Sequence, residues 1–161
     1  MLWIHALLFV LIVLLIIYLF NNFWCSSQYS EYKGVVVLDI DVTLTQSDKN
    51  IRRKIVEIAR QHNYDVYVNT MRHPDYCIRK ITTELGIPLS KHYCRLSMDT
   101  LYSKKKNMDS IHDIVKCDKK NIILFDDLMQ TVDYVKKHGY SAIYTPNGIQ
   151  QTHIDMFLKM V

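Results

Sequence analysis

Hydrophobic and polar positions divide the chain into two unlike parts. Residues 1–20 (MLWIHALLFVLIVLLIIYLF) form an unbroken apolar run with no Lys, Arg, Asp or Glu. About 20 such residues suffice to cross a bilayer as a helix. Trp3 near one end, and Tyr18, Phe23 and Trp24 near the other, suit the two water–lipid interfaces. The run exceeds the ~7–15-residue core of a cleaved signal peptide and shows no A-x-A site or basic leader, so an uncleaved single-pass membrane anchor is expected. Residues 21–33 (NNFWCSSQYSEYK) read as a polar tether. Basic residues follow the run rather than precede it (Lys33, then Arg52, Arg53 and Lys54), which puts the domain on the cytosolic side.

From residue 34 onward, short apolar runs alternate with segments of helical period. Residues 34–40 (GVVVLDI) form a β-branched run of the kind that is covered on both faces in a parallel sheet. Residues 50–62 carry Ile51, Ile55, Ile58 and Ala59 at helical spacing. Residues 65–69 (DVYVN) predict a second strand, and Pro74 opens a helix that Gly86 closes. A short strand over 92–96 and a helix over 107–115, with Met108, Ile111, Ile114 and Val115 on one stripe, come next. A buried strand over 121–125 (NIILF), a helix over 128–138 closed by Gly139, a strand over 140–144 and a final helix over 152–160 complete the series. Strand–helix alternation predicts the α/β class: a Rossmann-like parallel sheet with helices on both faces, residues 34–161. In such folds the ligand sits beyond the carboxyl ends of the strands.

Composition changes little in this picture. Half the residues are apolar and Gly and Pro are scarce, so the chain is long enough for one ordinary core and is neither collagenous nor a long linker. The formal charge of +4 is smaller than the clustered excess of a nucleic-acid reader. Cys25, Cys77, Cys94 and Cys117 contain no C-x-x-C pair, so no zinc site is expected and free thiols in a reducing compartment fit better than disulfides.

The residues able to do chemistry gather at predicted strand ends. The first strand runs into Asp39-Ile40-Asp41-Val42-Thr43, and strand alternation puts the two carboxylates on one side. Two close carboxylates repel, a divalent cation offsets the repulsion, and hard oxygen donors suit Mg²⁺; a pair of solvated acids is the plainer alternative. The second strand ends at Asn69-Thr70-Met71-Arg72, where a hydroxyl, backbone N–H groups and an arginine can hold phosphate oxygens. The fourth strand ends at Asp126-Asp127, a second acidic pair that would also serve as a helix cap. Lys104, Lys105 and Lys106 lie between; at most one is a site residue, and a solvated basic run is the alternative for each.

The order VVVLDIDVTLT, VNTMR, a lysine and IILFDD resembles the four motifs of the haloacid dehalogenase (HAD) superfamily over residues 34–161. FDDLMQTVDYVKKHGYSAIYTPNGIQ resembles the capless, magnesium-dependent phosphatase branch, with Asn147-Gly148 in the position of its N-G dipeptide. The resemblance implies Asp39 as the nucleophile that becomes an aspartyl-phosphate and Asp41 as acid and base. It implies Thr70, with Asn69, Thr43 and Arg72, as the phosphate-binding group. Mg²⁺ is implied on Asp39, Asp41 (through its carbonyl) and Asp126, with Asp127 nearby. Lys104 is preferred as the third motif because Ser103-Lys104 matches the branch; Lys106 remains open. Thr131, where relatives often carry Asn, and Met71 before Arg72 depart from the pattern.

The intervals Asp41 to Thr70 and Thr70 to Lys104 hold only a helix with turns, or a helix, strand and loop, so no cap domain covers the site. The resemblance then implies large substrates, phosphoproteins at or near the membrane. Two other readings stand beside it: a membrane-anchored interaction protein of HAD fold with little or no activity, and a phosphatase of nucleic acid or small molecules.

Overall fold

The computed structural model describes residues 12–13, 31–71, 75–94 and 99–161. The expected membrane span, apart from Ile12 and Val13, and Arg72 lie outside these residues. Among the described residues no helix is long and apolar enough to cross a membrane. The chain divides into two units, Met1–Glu31 and Tyr32–Val161.

The second unit holds a five-stranded sheet of β1 (Gly34–Leu38), β2 (Tyr64–Thr70), β3 (His92–Cys94), β4 (Ile122–Asp126) and β5 (Ser141–Tyr144). Its order is β3-β2-β1-β4-β5 and every pairing is parallel. Helices α1 (Lys49–Gln61), α2 (Tyr76–Glu84), α3 (Thr100–Val115), α4 (Met129–Lys137) and α5 (Gln151–Leu158) occupy the crossovers and the final segment. The strand order turns back at β1, with β2 and β3 on one side and β4 and β5 on the other. A crevice opens at such a switch point, beyond the carboxyl ends of β1 and β4.

β1 is buried along its whole length because it has helices above and below. Val36 and Leu38 join Ile55, Ala59, Val68, Phe125 and Phe157 in the layer that includes α1 and α5. Val35 and Val37 join Tyr67, Met108, Ile111, Leu124, Val132 and Val135 in the layer that includes α3 and α4. Period-2 alternation thus sends odd and even residues of GVVVL into two separate cores. Gly34 is required at the start of this strand: a Cβ there would lie 2.3 Å from the Asn121 carbonyl oxygen and 2.4 Å from the Tyr64 ring. At the same end of the sheet Lys33 Nζ donates to the Val161 carbonyl, 2.8 Å away.

Short acidic caps set three helix starts. The carboxylates of Asp48, Asp75 and Asp99 accept the N–H groups of Asn50 (2.8 Å), Ile78 (2.9 Å) and Tyr102 (2.9 Å). The Asp99 cap starts α3 at Thr100, well before the expected residue 107. Its buried stripe is Ser103, Lys104, Asn107, Met108, Ile111 and Val115. The first three are polar, so apolar periodicity registers only the second half of the helix. β1 stops at Leu38, and residues 41–45 form turns, so alternation does not extend to Asp41. Cys94 and Cys117 are free thiols.

Candidate active site

Register explains why particular strand-end residues meet. Asn69 of β2 and Asp126 of β4 continue the rows Tyr67–Asn69 and Leu124–Asp126, on the side of α3 and α4. Asp39 continues the row Val35–Val37 of β1 between them, and its N–H donates to the Phe125 carbonyl at 3.0 Å. Asn69, Asp39 and Asp126 therefore stand side by side at the carboxyl edge of three adjacent strands. They are 0%, 4% and 0% exposed, so the edge of the core is polar and only the Asp39 position opens narrowly to solvent.

Lys104 comes down on this row from α3. It is 3% exposed, and its ammonium donates to Asp39 Oδ1, to Asp126 Oδ2 at 2.9 Å and to the Asn69 carbonyl at 2.8 Å. All three ammonium hydrogens are thereby engaged. Lys105 instead pairs with Asp109 at 2.7 Å along the helix, and exposed Lys106 lies over the Tyr102 ring. Of the three lysines, Lys104 is the one the fold brings to Asp39.

Three carboxylates face this one cation. Half-buried Asp127 acts on the Asp39 carboxyl through its charge, and Asp126 Oδ1 accepts the Leu128 N–H at 2.9 Å. Burial pushes the Asp39 carboxyl up to about 7; Lys104 opposes the rise, while Asp126 and Asp127 add to it. Asp127 is raised as well, by burial and then by Asp126. Burial works against the Lys104 charge, but Asp39 and Asp126 outweigh it and its pKa lies above the ordinary lysine value. The centre is short of positive charge, and a second cation or a proton would offset the deficit.

Asp41 is half-buried in the turn that follows. The Thr43 N–H closes back on the Asp41 carbonyl across Val42, which has a φ of 58°. A β-branched residue at positive φ is strained, and such strain persists only where the surroundings hold it. Here Thr43 supplies the hold. Its hydroxyl pairs with that of Thr145 at 3.1 Å, and its carbonyl accepts the Ser47 hydroxyl and, at 3.3 Å, the Ile149 N–H. Gly148, at φ 79°, lets this segment press on Ser47, whose N lies 2.8 Å from where a Cβ would stand.

The expected phosphate-binding residues thus separate. Thr43 and Asn69 have side chains engaged within the protein, Thr43 with Thr145 and Asn69 with Lys104 and Asn107. Thr70, buried, ends β2 one step beyond Asn69. Arg72 lies outside the described residues.

Among the described residues no three or more His, Cys, Asp and Glu side chains form a ready metal cage. The donor set nevertheless suits a hard cation: Asp39, Asp126 and Asp127 offer carboxylate oxygens, and Mg²⁺ commonly takes one or two carboxylates and completes its shell with water and phosphate. The Ser103 and Thr131 hydroxyls, one residue before Lys104 and four after Asp127, are buried without a hydrogen-bond partner. Sequence reading missed Asn107, Ser47 and Thr145; each has a partner distant in the chain (Asn69, Ile149 and Thr43), which no local pattern marks.

No protein-family profile and no curated protein matches the chain. Among solved structures, the crystal structure of an uncharacterised protein from Corynebacterium glutamicum superposes with a TM-score of 0.60 at 13% identity, covering 80% of this chain and 94% of that one. That likeness concerns the fold.

Proposed function

We propose that residues 34–161 form a capless phosphomonoester hydrolase of the HAD type, acting on phosphoproteins through an aspartyl-phosphate. The observation that carries this reading is the convergence of Asp39, Lys104 and Asp126 at the β1–β4 switch point, with Asp41 two residues beyond the nucleophile.

In this reading an Asp39 carboxylate oxygen attacks phosphorus, a P–O bond forms, and the bond to the leaving oxygen breaks. Protonated Asp41 gives its proton to that oxygen. Water then attacks the phosphoryl group, passes a proton to Asp41 and returns Asp39 as a carboxylate. Lys104 fixes the Asp39 oxygen and compensates charge on the phosphoryl oxygens, and Thr70 and the backbone at the end of β2 bind those oxygens. Asp39, the Asp41 carbonyl and Asp126, with Asp127, would hold Mg²⁺, which supplies charge neutralisation for the transferring group. Between Asp41 and Lys104 the described residues hold α1, β2, α2 and β3 and no cap domain, which suits a bulky substrate. A membrane anchor in residues 1–20 would confine the domain to substrates near a bilayer.

The test is Mg²⁺-dependent hydrolysis of an aryl phosphate by the wild-type chain and Asp39→Asn, with acid-quenched capture of the phosphoenzyme. Wild type should turn over and trap phosphate on Asp39, and the variant should do neither. Equal rates would remove the enzyme reading in favour of an interaction protein. Activity on small phosphates with none across a broad phosphopeptide panel would remove the phosphoprotein assignment.

A further inference from the structure

Asn107 sits one helical turn after Lys104 on the sheet-facing stripe of α3 and is 2% exposed. A buried asparagine is a poor choice for a helix interior, where it neither favours the helix nor adds apolar contact. Its Nδ2 donates to Asn69 Oδ1 at 2.8 Å, with a longer contact of 3.5 Å to the Tyr93 carbonyl. Asn69 Nδ2 in turn donates to the Lys104 backbone carbonyl at 2.9 Å, while the Asn69 carbonyl accepts the Lys104 ammonium at 2.8 Å. Lys104 is thus held to one β2 residue at both ends, by its main chain and by its ammonium.

We propose that Asn107 is a positioning residue, which orients the Asn69 amide and thereby holds Lys104 between Asp39 and Asp126. The two ends of a primary amide have nearly the same shape, so its hydrogen-bond partners decide which way it faces. The Asn107 N–H requires the oxygen of Asn69 on its side, which leaves the Asn69 nitrogen for the Lys104 carbonyl. In the flipped amide two oxygens would face each other, at Asn69 and at the Lys104 carbonyl. The first turn of α3 would then draw back from β2 and take the ammonium with it. The catalytic consequence rests on the hydrolase reading; the clamp itself does not.

The decisive variants are Asn107→Asp, nearly isosteric but an acceptor where a donor is needed, and Asn107→Leu, each made in the full chain with and without Lys104→Met. Two readouts apply: aryl phosphate hydrolysis with Mg²⁺, and the rate at which an amine-reactive acetylating reagent labels Lys104, followed by mass spectrometry. Each Asn107 change should lower kcat roughly 10–100-fold with KM nearly constant, as expected for an interaction used in the transition state. In the Lys104→Met background it should cost no more than about twofold, the non-additivity of groups that act as a unit. Lys104 labelling should rise at least about tenfold, as expected where a group loses the contacts that kept it closed. Labelling needs no turnover, so an inactive wild type would sink the hydrolase reading and leave the clamp to be judged by labelling. Folded variants with wild-type kcat and labelling would overturn the proposal. So would equal losses in both backgrounds, or an Asn107→Asp chain that cannot fold, since Asn107 would then serve only stability.

Discussion

Asp39→Asn should abolish hydrolysis and, in metal-free buffer above neutral pH, make the fold more stable. The carboxyl of Asp39 is held at about 7 in the folded chain, against 3.8 when freely solvated. A raised carboxyl binds its proton more tightly in the folded state, so stability is complete below the unfolded pKa and is lost as pH rises through the folded one. At about 1.4 kcal/mol per pH unit, wild type should lose roughly 2–3 kcal/mol between pH 5 and pH 8 on account of this group alone. Asparagine carries no such slope. It forfeits the charged contact with Lys104, but that ammonium keeps Asp126 at 2.9 Å. The two stability curves should therefore diverge with pH, with the variant level or lower near pH 5 and higher near pH 8. For a domain of this size the divergence corresponds to a melting-temperature change on the order of 10 °C. Thermal unfolding followed by circular dichroism in EDTA, at pH steps from 5 to 8, reads this directly. Parallel curves would refute the reasoning, because Asp39 is the group whose titration the substitution removes.

Lys104→Met leaves Asp39 and Asp126 buried without their cation and should cost about 3–5 kcal/mol at neutral pH, less near pH 5 where Asp39 can take a proton; an unchanged urea midpoint would contradict this. Mg²⁺ should raise the melting temperature of wild type through preferential binding to the folded chain. Asp126→Asn should remove most of that rise, so calorimetric Mg²⁺ binding as tight as wild type would exclude Asp126 as a ligand. Gly148→Ala places a methyl group 2.8 Å from Ser47 N at a φ of 79° and should destabilise by roughly 2 kcal/mol or more. Denaturant titration checks this, and a neutral result would mean that the Thr43–Ile149 junction is looser than described.

Much of the fold is legible in the sequence because burial on both faces leaves a plain mark. GVVVL and IILF are continuous apolar runs, as strands between two helix layers must be. Legibility fails where the site intrudes. The first half of α3 has no apolar stripe because Ser103, Lys104 and Asn107 occupy the positions that elsewhere would be Leu or Ile. Asp39 and Asp126 announce themselves at the ends of apolar runs, whereas alternation does not carry to Asp41, because β1 stops at Leu38 and a turn begins at residue 41. The side chains of Asn69 and Thr43 sit among the right neighbours but are spent on Lys104, Asn107 and Thr145. Proximity in the chain to a motif does not distinguish a group that touches a ligand from one that braces a neighbour.

The contact of Lys33 with Val161 has a consequence for how the domain can be mounted. It brings residues 33 and 161 together at the amino ends of the strands, about 20 Å along the chain from Asp39. Any polypeptide continuing from either side leaves from that one pole, while the crevice opens at the other. A domain with adjoining ends can be spliced into a surface loop of a host protein with little distortion of either partner. Spliced in this way, the domain keeps the carboxyl ends of its strands on the side away from the join.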